Sequence, residues 1–190
     1  LAASFGPARN LYPGIRAELP ADYWSDAQMQ MLHTVIARVF DLAGLITIID
    51  ASFSIVTTPP GDLAIGQRLP HADGFSPRQL AIVHYLNDFT EGTGFYRHRA
   101  TGLQSITQHS HQAYFAAVDA QLRHLGPPPA SYCCGDTPLF EQIHAVPSQF
   151  NRAVLYRGQQ LHSGAITPDT PLHANPATGR LTVTAFLMVG

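Results

Sequence analysis

The sequence predicts a mainly β fold, a jelly roll (double-stranded β-helix) with supporting α-helices on one face. Three observations predict it. Short β-branched and aromatic runs recur from residue 45 to the C-terminus, punctuated by Pro, Gly and Asn. Two stretches, 21–42 and 110–125, carry apolar residues at helical spacing. At 190 residues, 45% hydrophobic and 13% charged, the chain has the size and composition of one domain with a proper core.

The elements follow in order. Residues 1–20 are broken by Pro and Gly and read as an irregular arm. "ADYWSDAQMQMLHTVIARVFDL" predicts an amphipathic helix whose buried stripe holds Trp24, Met31, Val35, Val39 and Leu42. "LITIIDASFSIVT", 45–57, predicts one or two strands, ended by Pro59-Pro60-Gly61. The jelly-roll core is placed at 66–188, with strands near 66–73, 81–88, 93–99, 139–146, 151–157, 161–166 and 180–189. A second helix, 110–125, interrupts them and stops at Gly126 and three prolines.

Composition narrows the partners. A formal net charge of −2 gives no reason to expect nucleic acid or an anionic membrane. No run reaches the roughly 18 apolar residues that span a bilayer. The two cysteines, Cys133 and Cys134, are adjacent and build no disulfide framework, which fits a reducing, cytoplasmic setting.

The chemistry starts at "RLPHADGF", 68–75. On extended backbone, positions i and i+2 share a side, so His71 and Asp73 converge. By itself H-x-D recurs by chance. His162 adds to it: "VLYRGQQLHSGA" is a strand, a polar turn, then His-Ser-Gly entering the next strand. A jelly roll can bring that histidine beside the first pair. Two His and one Asp on one face form the facial triad of non-haem Fe(II) oxygenases, with three coordination positions open. The last strand, "GRLTVTAFL", then places Arg180, Thr182 and Thr184 on one face. A guanidinium leading a strand otherwise without charge suits bidentate capture of a carboxylate.

With these residues in order, the chain resembles the 2-oxoglutarate/Fe(II)-dependent dioxygenase superfamily, most closely its prolyl-4-hydroxylase-like branch. The resemblance rests on His71-Ala72-Asp73, "YLND" (85–88), "EGTGFY" (91–96), His162 and "GRLTVTAF", and covers about 66–188. It implies Fe(II) held by His71, Asp73 and His162. It implies 2-oxoglutarate as co-substrate and O2 as oxidant. The distal carboxylate of 2-oxoglutarate would be held by Arg180, with hydrogen bonds from Tyr85 and Thr182. The implied reaction is hydroxylation of a carbon in a small molecule or a peptidyl side chain. Two departures stand out: His162 and Arg180 are 18 positions apart, so the loop 167–179 must bulge, and Glu91-Gly92 replaces a Gly-Gly pair.

On the substrate side, Phe95 and Arg97 share a face of the strand 93–99. If that face is inward, Arg97 either meets an anionic substrate or an acid of the protein itself, such as Asp88 or Asp136. The loops 100–110 and 126–138 are long enough to form a cover. A second reading is a cupin-like jelly-roll module that binds a metal or ligand without oxygenase activity.

Overall fold

The computed structural model describes residues 4–88 and 92–190. Among them the chain is mainly β, with two antiparallel sheets and two α-helices. The large sheet has six strands: β1 (Gly6–Pro7), β2 (Gly14–Glu18), β3 (Ile46–Val56), β4 (Gln79–Tyr85), β7 (Ala153–Arg157) and β9 (Leu181–Val189). Their order is β1-β2-β3-β9-β4-β7. The small sheet has three: β5 (Thr93–His98) lies between β6 (Phe140–Val146) and β8 (His162–Gly164). Among the described residues no helix is long and apolar enough to cross a membrane.

The long β3 forms because β-branched and aromatic residues (Ile46, Thr47, Ile48, Ile49, Phe53, Ile55 and Val56) dominate it. It pairs along most of its length with β9, whose outer residues Ala185, Leu187 and Val189 join Ile46, Leu80 and Ile82 in one cluster. Helix α1 (Asp26–Phe40) covers that cluster. Ser25 caps it in a capping box: the Gln28 amide donates to Ser25 Oγ (3.3 Å), and the Ser25 amide to Gln28 Oε1 (2.9 Å). The buried stripe is Met29, Leu32, Ile36 and Phe40, flanked by Trp24 and Leu42. Met31, Val35 and Val39 face solvent instead. Both series satisfy helical spacing, and only the sheet beneath selects one.

Helix α2 (His111–Leu125) packs elsewhere. Its Tyr114, Val118 and Leu122 meet Tyr96, Phe140 and Leu161 on the small sheet. The two helices therefore cover different sheets, a correction to the expectation that both support one face. Each sheet has an outer apolar face, and each needs its own cover.

Two further corrections shape the site. The N-terminal arm is not irregular: β1 and β2 extend the large sheet through β3. The segment 66–73 is not a strand. Ile65–Arg68 forms a 3-10 turn, and His71 then makes an isolated antiparallel bridge to His162. Between the sheets, Ala81, Phe95 and Tyr156 form an inner cluster. Beside it opens a cavity of about 400 Å³.

Candidate metal centre

The bridge builds the centre. The amides and carbonyls of His71 and His162 exchange two hydrogen bonds of 2.9 Å, and the Asp73 amide donates to the Gly158 carbonyl at 2.8 Å. His71 and Asp73 then face one side, although the chain bends at Asp73. His71 Nε2 lies 3.6 Å from Asp73 Oδ1, and His162 Nε2 lies 3.5 Å from Asp73 Oδ2. One ligand atom from each of the three lies within 4.8 Å of the others. All three line the cavity.

The protonation state suits a cation. His162 Nδ1 sits 2.9 Å from the Gln160 carbonyl and donates to it, which leaves the Nε2 lone pair aimed at Asp73. Burial lowers the His162 pKa from 6.5 to about 4, so the ring is neutral near pH 7. His71 is lowered too, by burial of its inner edge and by His162, against the pull of Asp73. More than half of its side chain reaches solvent, which keeps the ring accessible to an entering ion. Burial raises the Asp73 carboxyl, while His71, Tyr156 and Arg16 pull it down.

One residue at this centre has no signature in sequence. Tyr156, on β7, puts its hydroxyl 3.0 Å from His162 Nε2 and 3.4 Å from Asp73 Oδ2. Burial, with Asp73 close by, pushes that hydroxyl well above the usual tyrosine range. It looks like one aromatic among several on core strands, and only the pairing of β7 with β4 turns it inward.

The same cavity holds a group of cationic and hydroxyl donors. On the inner face of the large sheet, Arg16, Ser54, Thr182 and Tyr85 lie side by side across β2, β3, β9 and β4. Arg180, just before β9, is 4% exposed. One of its Nη atoms donates to the Gly92 carbonyl at 2.9 Å, and its Nε has no partner among the described residues. Gly92 also packs tightly on the end of β6: a Cβ there would meet the Val146 carbonyl at 1.8 Å. The Tyr12 hydroxyl and Arg16 Nε are likewise buried without a partner. Arg180 and Arg16 are near enough to pull the Tyr12 pKa down, though burial outweighs them.

The predicted residues divide. His71, Asp73, His162, Arg180 and Thr182 come together around the cavity. Tyr85 is fully buried and reaches Arg180 with its ring face (5.8 Å), but its hydroxyl is bonded to Thr93 Oγ1 at 2.6 Å. The cavity wall carries Thr93 in its place. Phe95 packs under the centre, 5.3 Å from the Tyr156 ring and 6.4 Å from His162. Arg97 does not join them. It is half-exposed and pairs with Glu141 across β6 at 3.2 Å, because two residues further along β5 the inner face has reached the edge of the core. Arg99 pairs with Asp136 at 2.8 Å. The loop 167–179 bulges as its length requires, and Leu172 packs it on Val56, Leu63, Tyr132 and Ile166. Loop 126–138 supplies Tyr132 to the cavity wall; loop 100–110 buries Ile106 in the core and lines none of it. Glu91 lies outside the described residues.

A family model covers nearly the whole chain, residues 1–187. The chain belongs to this family, described as a family of unknown function (DUF6445). No curated protein and no solved structure matches it.

Proposed function

We propose that this DUF6445 protein is a non-haem Fe(II)- and 2-oxoglutarate-dependent oxygenase on a jelly-roll core. It would hydroxylate an unactivated carbon of a small molecule or a peptidyl side chain. One observation carries the reading: a single cavity joins a two-His, one-carboxylate cluster to a buried arginine with an unpaired Nε. An unpaired buried donor of this kind is what a ligand carboxylate satisfies.

The residues fit the group. His71, Asp73 and His162 would hold Fe(II), a set of nitrogen and oxygen donors typical of that ion. When bound, the metal supplies the redox chemistry that turns 2-oxoglutarate, O2 and a C–H bond into succinate, CO2 and an alcohol. The chain's own residues do the rest. Arg180 and Thr182 bind the distal carboxylate. Tyr12, whose buried hydroxyl lies beside Thr182 and Arg180, takes the part that the family resemblance gives to Tyr85. Val83 and Phe186, backed by Phe95, keep the cavity floor apolar. Cys133 and Cys134 are not joined in a disulfide, which supports a cytoplasmic setting.

The test is an anaerobic titration of Fe(II)-loaded protein with 2-oxoglutarate, followed by its visible metal-to-ligand charge-transfer band. The band is expected with wild type, lost in His162→Ala and weakened in Arg180→Ala. Bound iron without a band would rule out chelation of 2-oxoglutarate and leave the cupin-like module as the reading.

A further inference from the structure

Tyr156 is not placed as an ordinary supporting residue. A supporting group normally bonds the ring nitrogen that does not ligate the metal. At His162 that nitrogen, Nδ1, already belongs to the Gln160 carbonyl. Tyr156 sits at Nε2, on the ligating side, 3.0 Å away.

The spacing adds to this. Donors about 2.1 Å from one shared ion lie about 3.0 Å apart at octahedral angles and about 3.4 Å apart at tetrahedral ones. The Tyr156 oxygen is 3.0 Å from His162 Nε2 and 3.4 Å from Asp73 Oδ2. His162 Nε2 is 3.5 Å from Asp73 Oδ2, and His71 Nε2 is 3.6 Å from Asp73 Oδ1. The Tyr156 oxygen thus stands at the separations of a neighbour of His162 and Asp73 on one ion. The Tyr156 ring is held there by Phe95 and Ala81 and is 8% exposed.

We infer that the Tyr156 hydroxyl oxygen is a fourth donor to the metal when no co-substrate is bound. It occupies one of the three positions that the two histidines and Asp73 leave open. On coordination to a trivalent ion the O–H bond breaks, the oxygen keeps the electron pair for the new bond to the metal, and the proton leaves to solvent. The inference rests on the metal-centre reading above and assigns a ligand that the triad pattern does not contain.

The experiment loads the full chain with Fe(III), the probe ion, without 2-oxoglutarate, and records bound iron and visible absorption together. A phenolate oxygen on Fe(III) gives an intense visible charge-transfer band that His and carboxylate ligands do not. Wild type is expected to bind one iron per chain and show the band. Tyr156→Phe should lose the band and bind iron about 10-fold more weakly, while Tyr12→Phe should keep the band. If Tyr156→Phe does not fold, resonance Raman of wild type decides, through tyrosinate modes that shift with ring-deuterated tyrosine and persist in Tyr12→Phe. Colourless wild type with one iron bound would overturn this inference alone, as would an undiminished band in Tyr156→Phe. Absence of any bound metal would overturn the metal centre with it.

Discussion

Two groups of polar side chains line one cavity, and they are satisfied in opposite ways. Around Asp73, the donors and acceptors answer one another: His162 bonds Gln160 and Tyr156, and Tyr156 lies within reach of Asp73. Around Arg180, the Nε of Arg180, the Nε of Arg16 and the Tyr12 hydroxyl are buried with no partner among the described residues. Leaving a buried polar group unpaired costs about 1–3 kcal/mol. The first group is thus preassembled and loses little while no ligand is bound. The second keeps an unmet demand that an entering anion can supply. Preassembly suits a cation gripped by fixed donors, and unmet donors suit a co-substrate that comes and goes.

This contrast can be broken or sharpened by measurement. The largest effect is expected from His162→Ala, which removes a ligand and the backbone-fixed tautomer together. Metal affinity should fall by well over about 100-fold, read by competition with a chromogenic chelator. Retained tight binding would move the metal away from this bridge.

Arg180→Met should weaken 2-oxoglutarate binding by at least about 2 kcal/mol, some 30-fold. The same change removes a buried, incompletely paired charge, so the ligand-free protein should unfold at equal or higher urea concentration. A clear loss of ligand-free stability would show that Arg180 is structural.

Acid should act on the metal corner. The His162 ring is harder to protonate folded than unfolded, so the unfolded chain takes up more protons from pH 6.5 to about 4. Stability is therefore full above 6.5 and declines as pH falls through that window, by at most about 3 kcal/mol from His162, with His71 acting in the same direction. Asp73, raised by burial, opposes this at the low end. Urea midpoints at pH 7, 5.5 and 4.5 test it, and a flat profile would contradict the buried neutral ring.

Tyr12 and Tyr85 separate binding from structure. Tyr12→Phe should raise the Kd for 2-oxoglutarate about 5- to 10-fold with little change in stability. Tyr85→Phe should do the reverse, costing about 1 kcal/mol of stability by stranding the Thr93 hydroxyl. Titration and urea melts of both variants settle which tyrosine faces the ligand. The smallest effect belongs to Arg97→Ala: its pair with Glu141 is solvent-screened, so less than about 1 kcal/mol is expected, with no change in ligand binding.

Much of the architecture was legible in sequence because it is local. The strand and helix positions follow from β-branched runs and helical spacing, and most bounds fall within a few residues of those observed. The convergence expected of H-x-D is observed, although 66–73 is not a strand and the chain bends at Asp73. What failed was phase and partnership. Met31, Val35 and Val39 fit a helix as well as Met29, Leu32 and Ile36 do, and only the underlying sheet distinguishes them. Arg97 and Arg180 both lie on or beside strands, yet a neighbouring Glu141 neutralises one and burial without a carboxylate leaves the other available.

By itself, then, the sequence determined the short-range geometry: a strand-rich chain, a His and an Asp two positions apart on one side, an arginine ahead of alternating threonines. Side-chain direction over two or three residues is set by backbone period alone. The tertiary structure alone decided which surfaces meet. It paired His71 with His162 across 91 positions, turned the Tyr156 hydroxyl onto Nε2 of that histidine, and folded Tyr12 from the N-terminal arm beside Arg180. Those meetings depend on sheet order and register, long-range pairings that no local pattern encodes.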